Sequence, residues 1–325
     1  MMEVALFLAS FVGILLAAEL FTNAVEDLGD RLGLSHGVVG SLLAAVGTAL
    51  PETLVPIVAL IFGSPETKEE IANGAILGAP FMLATLGFFI IGLAALIKRE
   101  KVINTNAFLL SRDLTFFTIL FPPAVFLAFV PGMHWLKVAF AFLLLAGYAY
   151  YVYHVVREGG EEVEADGTLH FSRFMKLPEH LFTSVFQLIS ALLVLLVSVE
   201  VFVHSLEVLS QHLGVAPLVF SLLVAPVATE LPEKFNSFFW SLRGKYELAF
   251  GNITGAMVFQ STVPVSVGLL FTDWEIGRAG ILAGFIALLG AALVLYQLRI
   301  RKKVYSGLLL ANGLLYLLYA FLVLG

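Results

Sequence analysis

Ten stretches of this sequence are apolar over about the length a helix needs to cross a bilayer, roughly 20 residues. They fall at 4–22, 38–62, 71–97, 112–130, 135–156, 180–204, 216–242, 246–271, 278–298 and 304–324. Of the 325 residues 60% are hydrophobic and 13% charged, and the mean hydropathy is +0.97. A soluble domain of this size has no interior large enough for that much apolar surface. The runs are too long for barrel strands and lack period-2 alternation. The predicted fold class is therefore all-α membrane, with ten transmembrane helices. The N-terminus carries no basic segment or small-residue cleavage site, so the first run reads as a retained span.

The same composition narrows function. Net charge is −6, and no basic block is interleaved with aromatics, which excludes nucleic acid as a partner. There is no cysteine, so disulfides, thiolate metal sites and cysteine nucleophiles are excluded. The seven histidines have no metal-ligand spacing, and His36 and His212 read as span ends. The one long hydrophilic stretch, 157–178, contains EGGEEVEADG and leaves little room for a soluble catalytic module. Its acidic part, 158–166, lacks an EF-hand spacing and reads as a solvated link. Lys and Arg in the short loops set the orientation. With both termini outside, inner loops carry 14 of them and outer loops 3 (Lys68, Lys137 and Arg278), while Lys234 lies within a span. This is the arrangement expected of a plasma (inner) membrane protein.

The chain also matches itself. Residues 32–52 (LGLSHGVVGSLLAAVGTALPE) and 213–233 (LGVAPLVFSLLVAPVATELPE) are identical at 10 of 21 positions without a gap. The same offset pairs Glu19 with Glu200 and Glu26 with Glu207. A slightly shorter one lays GAILGA (74–79) over GNITGA (251–256). The division is thus a first five-span repeat at 1–156, an acidic linker at 157–178 and a second repeat at 179–325. An odd number of spans per repeat makes the second enter from the opposite side, a construction that puts binding sites near the midplane where the halves meet.

Within each repeat one motif sits inside an apolar span: GTALPE (47–52) and ATELPE (228–233). Proline removes a helical hydrogen bond and crowds the carbonyl four residues back, so Pro51 and Pro232 predict breaks that expose carbonyls. Irregular backbone survives at membrane depth only inside protein or beside water. Next to each proline is a carboxylate, Glu52 or Glu233; one turn earlier on the same face is a hydroxyl, Thr48 or Thr229. A charge at mid-bilayer costs at least ~3 kcal/mol, so two acids there call for a cation. Carboxylate, hydroxyl and carbonyl oxygens are the ligands hard cations prefer.

This pattern resembles the calcium/cation antiporter superfamily, known for sodium/calcium exchangers, whose two repeats carry G-T-S-x-P-E-like motifs followed a span later by G-S-N-like segments. The likeness is strongest at 19–92 and 200–268, and AELFTNAVEDLGDRLGLS (18–35) is similar to the lead-in to the first motif. It implies ten helices in two inverted repeats, with Glu52 and Glu233 as the central cation ligands. Thr48 and Thr229 would flank them, and carbonyls near Ala45 and Pro226 would complete the shell. Ala49 and Glu230 stand where the family has serine; Ala79, Leu83, Ala256 and Gln260 stand where it offers Ser and Asn or Asp. Glu230, three residues before Glu233, is an added acid. It either supplies a replacement ligand or proton site alongside Gln260, or pairs with Lys234 four residues on.

The remaining polar residues read more simply. Glu19 and Glu200 lie toward span ends, where interfacial solvation accounts for them. Asn73 and Asn252 read as helix caps, Asn252 equally as a ligand. The glycines of GAILGA and GNITGA read as packing positions. The function expected is a secondary cation antiporter, not an enzyme: Ca²⁺ or a similar cation is exchanged for Na⁺ by alternating access, with H⁺ as the variant counter-ion. Inorganic cations and the bilayer are the partners expected, and no cofactor is required. The rivals are an ion-binding homologue that does not exchange and an intramembrane hydrolase using two acids. The hydrolase lacks any G-x-G-D-type motif.

Overall fold

The computed structural model describes residues 2–31, 50–158 and 168–324, and only the backbone at 29, 30, 156, 158, 232 and 233. The described chain is helical: α1 (Met2–Arg31), α2 (Leu50–Phe62), α3 (Lys68–Met82), α4 (Phe88–Ile97), α5 (Ala107–Phe126), α6 (His134–Glu158), the short α7 (His170–Met175), α8 (Leu181–Leu213), α9 (Pro217–Thr229), α10 (Leu231–Leu242), α11 (Tyr246–Gln260), α12 (Val263–Phe271), α13 (Gly277–Tyr296) and α14 (Ser306–Leu324). A π-turn, Leu83–Gly87, joins α3 to α4 into one long unit. The strands are two-residue pieces, β1 (Val102–Ile103) and β2 (Val304–Tyr305), paired antiparallel.

Among the described residues eight helical units are long and apolar enough to cross a membrane, while α2 and α9 are apolar but shorter. The boundaries follow local chemistry. Asn106 caps α5, its side-chain oxygen accepting from the Phe108 and Leu109 amides at 3.2 and 3.4 Å. Gly214 ends α8 in the left-handed conformation, φ +66°, and Pro217 opens α9 where its missing N–H is harmless. The predicted break before Pro232 is present. α9 stops at Thr229, Glu230 leaves helical geometry (φ −100°, ψ 6°), and Pro232 lies in the first turn of α10. The interruption in α3–α4 has a counterpart in the second half. Residues 83–87 correspond by the repeat offset to 260–264, where α11 ends and α12 begins.

Two packing features position the centre. α1 and α8 lie side by side and antiparallel: the rings of Phe7 and Phe202 stack at 5.1 Å, and the Gln187 amide donates to Asn23 at 2.9 Å. α3 crosses α9 in parallel with backbones nearly touching. A Cβ at Gly74 would lie 2.4 Å from the Leu218 carbonyl oxygen, and one at Gly78 2.3 Å from that of Leu222. The packing role expected for GAILGA holds there. Val55, Val58 and Ala59 of α2, Ile71 and Ala75 of α3, and Ala225 and Ala228 of α9 then close one apolar cluster with α1 and α8.

Candidate functional site

Glu52 lies in the first turn of α2, directly after Pro51, and is 4% exposed. Leu50 and Leu54 beside it join the cluster that holds Ala225 and Ala228, so its turn is packed into the same core as the end of α9. Thr48, Ala45 and His36 lie outside the described residues, as does most of the acidic loop 158–166. Glu233 falls in the first turn of α10, three residues past Glu230 at the break. Thr229, the last residue of α9, is buried, and its hydroxyl donates to the Ala225 carbonyl at 3.3 Å.

Glu230 is fully buried, and its Oε2 accepts from Lys234 Nζ at 2.6 Å; Lys234 is itself 6% exposed. The i, i+4 pairing is therefore the reading the structure adopts. The two groups share a helix turn, and neither has water to turn to. Gln260, the last residue of α11, is buried and lies against Glu230. Glu230 Oε1 and Gln260 Oε1 are buried without a hydrogen-bond donor among the described residues. The Pro226 carbonyl accepts the Glu230 amide at 3.0 Å, which uses one of its two lone pairs. The break also deprives the Ala228 carbonyl, since Pro232, four residues on, has no N–H to give it.

The asparagines are not caps. Asn73 lies inside α3 and accepts the Thr272 hydroxyl at 3.1 Å; Asn252 lies inside α11 and donates to Ser237 Oγ at 3.0 Å. Glu19 is exposed and pairs with His170 at 3.3 Å, and Glu200 is exposed; both lie well inside their helices rather than at the ends the sequence suggested. In GNITGA no close approach like that of GAILGA is seen: among the described residues a Cβ at Gly251 would meet nothing within 4 Å, and one at Gly255 only the Tyr151 hydroxyl at 3.7 Å.

A polar knot was missed. Asp113 of α5 is 3% exposed and accepts from the Arg112 guanidinium (3.0 and 3.1 Å), the Tyr151 hydroxyl (3.1 Å) and the Thr254 hydroxyl (2.7 Å). Thr254 belongs to GNITGA, so the knot pins the helix that ends at Gln260 to α5 and α6. An acid at the second position of a predicted span was the available signal.

What the fold and site suggest together is decided by comparison. The family model of the sodium/calcium exchanger protein matches residues 2–157 and 183–325. The chain belongs to that family. It is similar to the putative antiporter CaxA of Alkalimonas amylolytica, 27% identical over 326 residues, covering 96% of this chain and 97% of that one. Its fold is that of the H⁺/Ca²⁺ exchanger CAX (TM-score 0.79, 19% identity, 98% of this chain and 82% of that one). It is likewise that of the sodium-calcium exchanger NCX_Mj (TM-score 0.61, 20% identity, 98% and 97%). At these identities the solved structures speak for the fold alone. The family and the eight long apolar helices make the chain an integral membrane protein.

Proposed function

We propose that the chain is a secondary antiporter that exchanges Ca²⁺, or a cation of similar size and charge, for Na⁺ by alternating access. Its membrane region comprises ten spans in two inverted five-helix repeats, with α2 and the α9–α10 pair as the broken helices at the midplane. Both termini lie outside the plasma (inner) membrane. Glu52 and Glu233 are the central ligands, and Thr48 and Thr229 flank them.

The observation that carries this reading is the burial of Glu52 on a helix turn whose Leu50 and Leu54 pack into the core that holds the broken end of α9. A carboxylate at 4% exposure calls for compensating charge or donors close by, and a cation shared with a second acid is one way to supply it. A bound cation does so and is released when the site opens. Two different ions bind in turn because they need the same oxygens, and no covalent chemistry enters. The buried, donorless oxygens of Glu230 and Gln260 add acceptors of the kind Ca²⁺ takes. Family membership supports the exchange itself.

A second reading replaces Na⁺ with H⁺. It is favoured by Glu230, a fully buried carboxyl with one oxygen lacking a donor, which a proton can neutralise as well as Lys234 does.

The test is radiolabelled Ca²⁺ uptake into proteoliposomes under an imposed Na⁺ or H⁺ gradient. Wild type takes up Ca²⁺ against the driving gradient, and Glu52→Gln and Glu233→Gln abolish uptake. Uptake indifferent to both gradients removes the exchanger assignment. Response to one gradient alone selects the counter-ion.

A further inference from the structure

Away from the site, the ends of α4, α13 and α14 enclose a cavity of about 580 Å³, within the usual range for ligand clefts. The pairing of β1 with β2 builds it by setting Val102 opposite Tyr305. The Ser306 amide donates to the Lys101 carbonyl at 3.2 Å, which ties the α4–α5 loop to the start of α14. Lys101 and Arg301 line the upper part, and no acidic residue does. The carboxylate next to Lys101 in sequence, Glu100, is engaged by Lys98 at 2.9 Å. Leu96, Leu308 and Leu310 form an apolar wall below. Tyr296, on the rim, is 54% exposed at the end of its span, where aromatic side chains meet the headgroup layer.

One polar atom in this cavity has no structural explanation. Gln297 is 1% exposed and lines it. Its Oε1 accepts the Tyr305 amide at 2.8 Å, but its Nε2 is buried without an acceptor among the described residues. A buried amide donor left unpaired costs about 1–3 kcal/mol. A ligand bringing an acceptor between Lys101 and Arg301 removes that cost.

We propose that this groove binds an anionic phospholipid. The phosphate accepts from Gln297 Nε2 and faces Lys101 and Arg301, while the acyl chains run down Leu96, Leu308 and Leu310. A ligand with both parts fits a cavity that is basic at the level of the span ends and apolar beneath. It lies on the face rich in Lys and Arg, where anionic headgroups are drawn to basic pockets between helices. The inference is independent of the exchange site.

Native mass spectrometry of the full chain in detergent, titrated separately with phosphatidylglycerol, phosphatidylcholine and inorganic phosphate, tests it. Wild type is expected to retain phosphatidylglycerol over phosphatidylcholine. Replacing both cations (Lys101→Gln with Arg301→Gln) weakens phosphatidylglycerol about 30-fold, as two near-headgroup charges should, and leaves phosphatidylcholine unchanged. The charge-conserving pair Lys101→Arg with Arg301→Lys keeps the preference. Equal retention of the two lipids by wild type, or undiminished binding by the Gln pair, overturns the proposal. Displacement of the lipid by inorganic phosphate does so too, and makes free phosphate the occupant. If the Gln pair does not fold, the wild-type preference alone decides.

Discussion

Two buried carboxylates, Asp113 and Glu230, solve the same problem differently. Both are almost without solvent exposure, at 3% and 0%, and both have a basic partner close in sequence. Asp113 fills its acceptor capacity with a guanidinium and two hydroxyls drawn from α5, α6 and α11. Glu230 is held at Oε2 by Lys234 on its own stretch of helix, with Gln260 alongside, and its Oε1 has no donor among the described residues. Burial of an acid in a membrane protein is therefore not by itself the mark of an ion site. Spare acceptor capacity is the better mark, and by that measure Asp113 is a rivet and Glu230 is the one with an oxygen left to offer, which is what the proposed site asks of it.

The largest effect that tests this contrast is expected from Asp113→Ala. It takes the shared acceptor from the Arg112 guanidinium and from the Tyr151 and Thr254 hydroxyls, so stability should fall by about 3–5 kcal/mol, read as a lowered melting temperature in detergent. A small loss would mean the knot is loosely held and the contrast is wrong. Removing the other pair whole, by Glu230→Leu with Lys234→Met, should change stability by no more than about 1 kcal/mol in the unfavourable direction, since apolar replacement of a buried ion pair is often neutral or better. The same variant should change the rate or ion preference of uptake. Unaltered transport would make Glu230 a second rivet. The smallest effect concerns an exposed acid. The Lys98 ammonium holds the Glu100 carboxyl below the usual carboxylate range. Its contribution is present above that range and is lost as pH falls through the lowered folded-state value. Glu100→Gln should therefore narrow the difference in melting temperature between neutral and acid buffer, with a change at neutral pH inside about 0.5 kcal/mol.

Much of this arrangement was legible in the residues because the bilayer imposes a length rule and proline a backbone rule. Hydropathy located the eight long units, and Pro232 located the break at Glu230. The π-turn at 83–87 was not legible: it marks no composition change, and becomes visible only by its register with the α11–α12 junction. Spacing placed Lys234 within reach of Glu230 but could not choose between partner and ligand roles, because that choice depends on which other oxygens surround the acid. Asp113 escaped because an acid beside Arg112 at a span edge reads as headgroup charge. Lys101 and Arg301 were counted for orientation, and only the strand pairing of distant loops brings them to one cavity.

The antiparallel pair of α1 and α8 has a geometric consequence. Helices of 30 and 33 residues are about 45 and 50 Å long, half again the roughly 30 Å of hydrocarbon available. They must lean or protrude, and each ångström of bilayer thickness changes how far. Lipid chain length is thus a mechanical load on these two rods, and a host that thickens or thins its membrane shifts their resting tilt without altering a single residue.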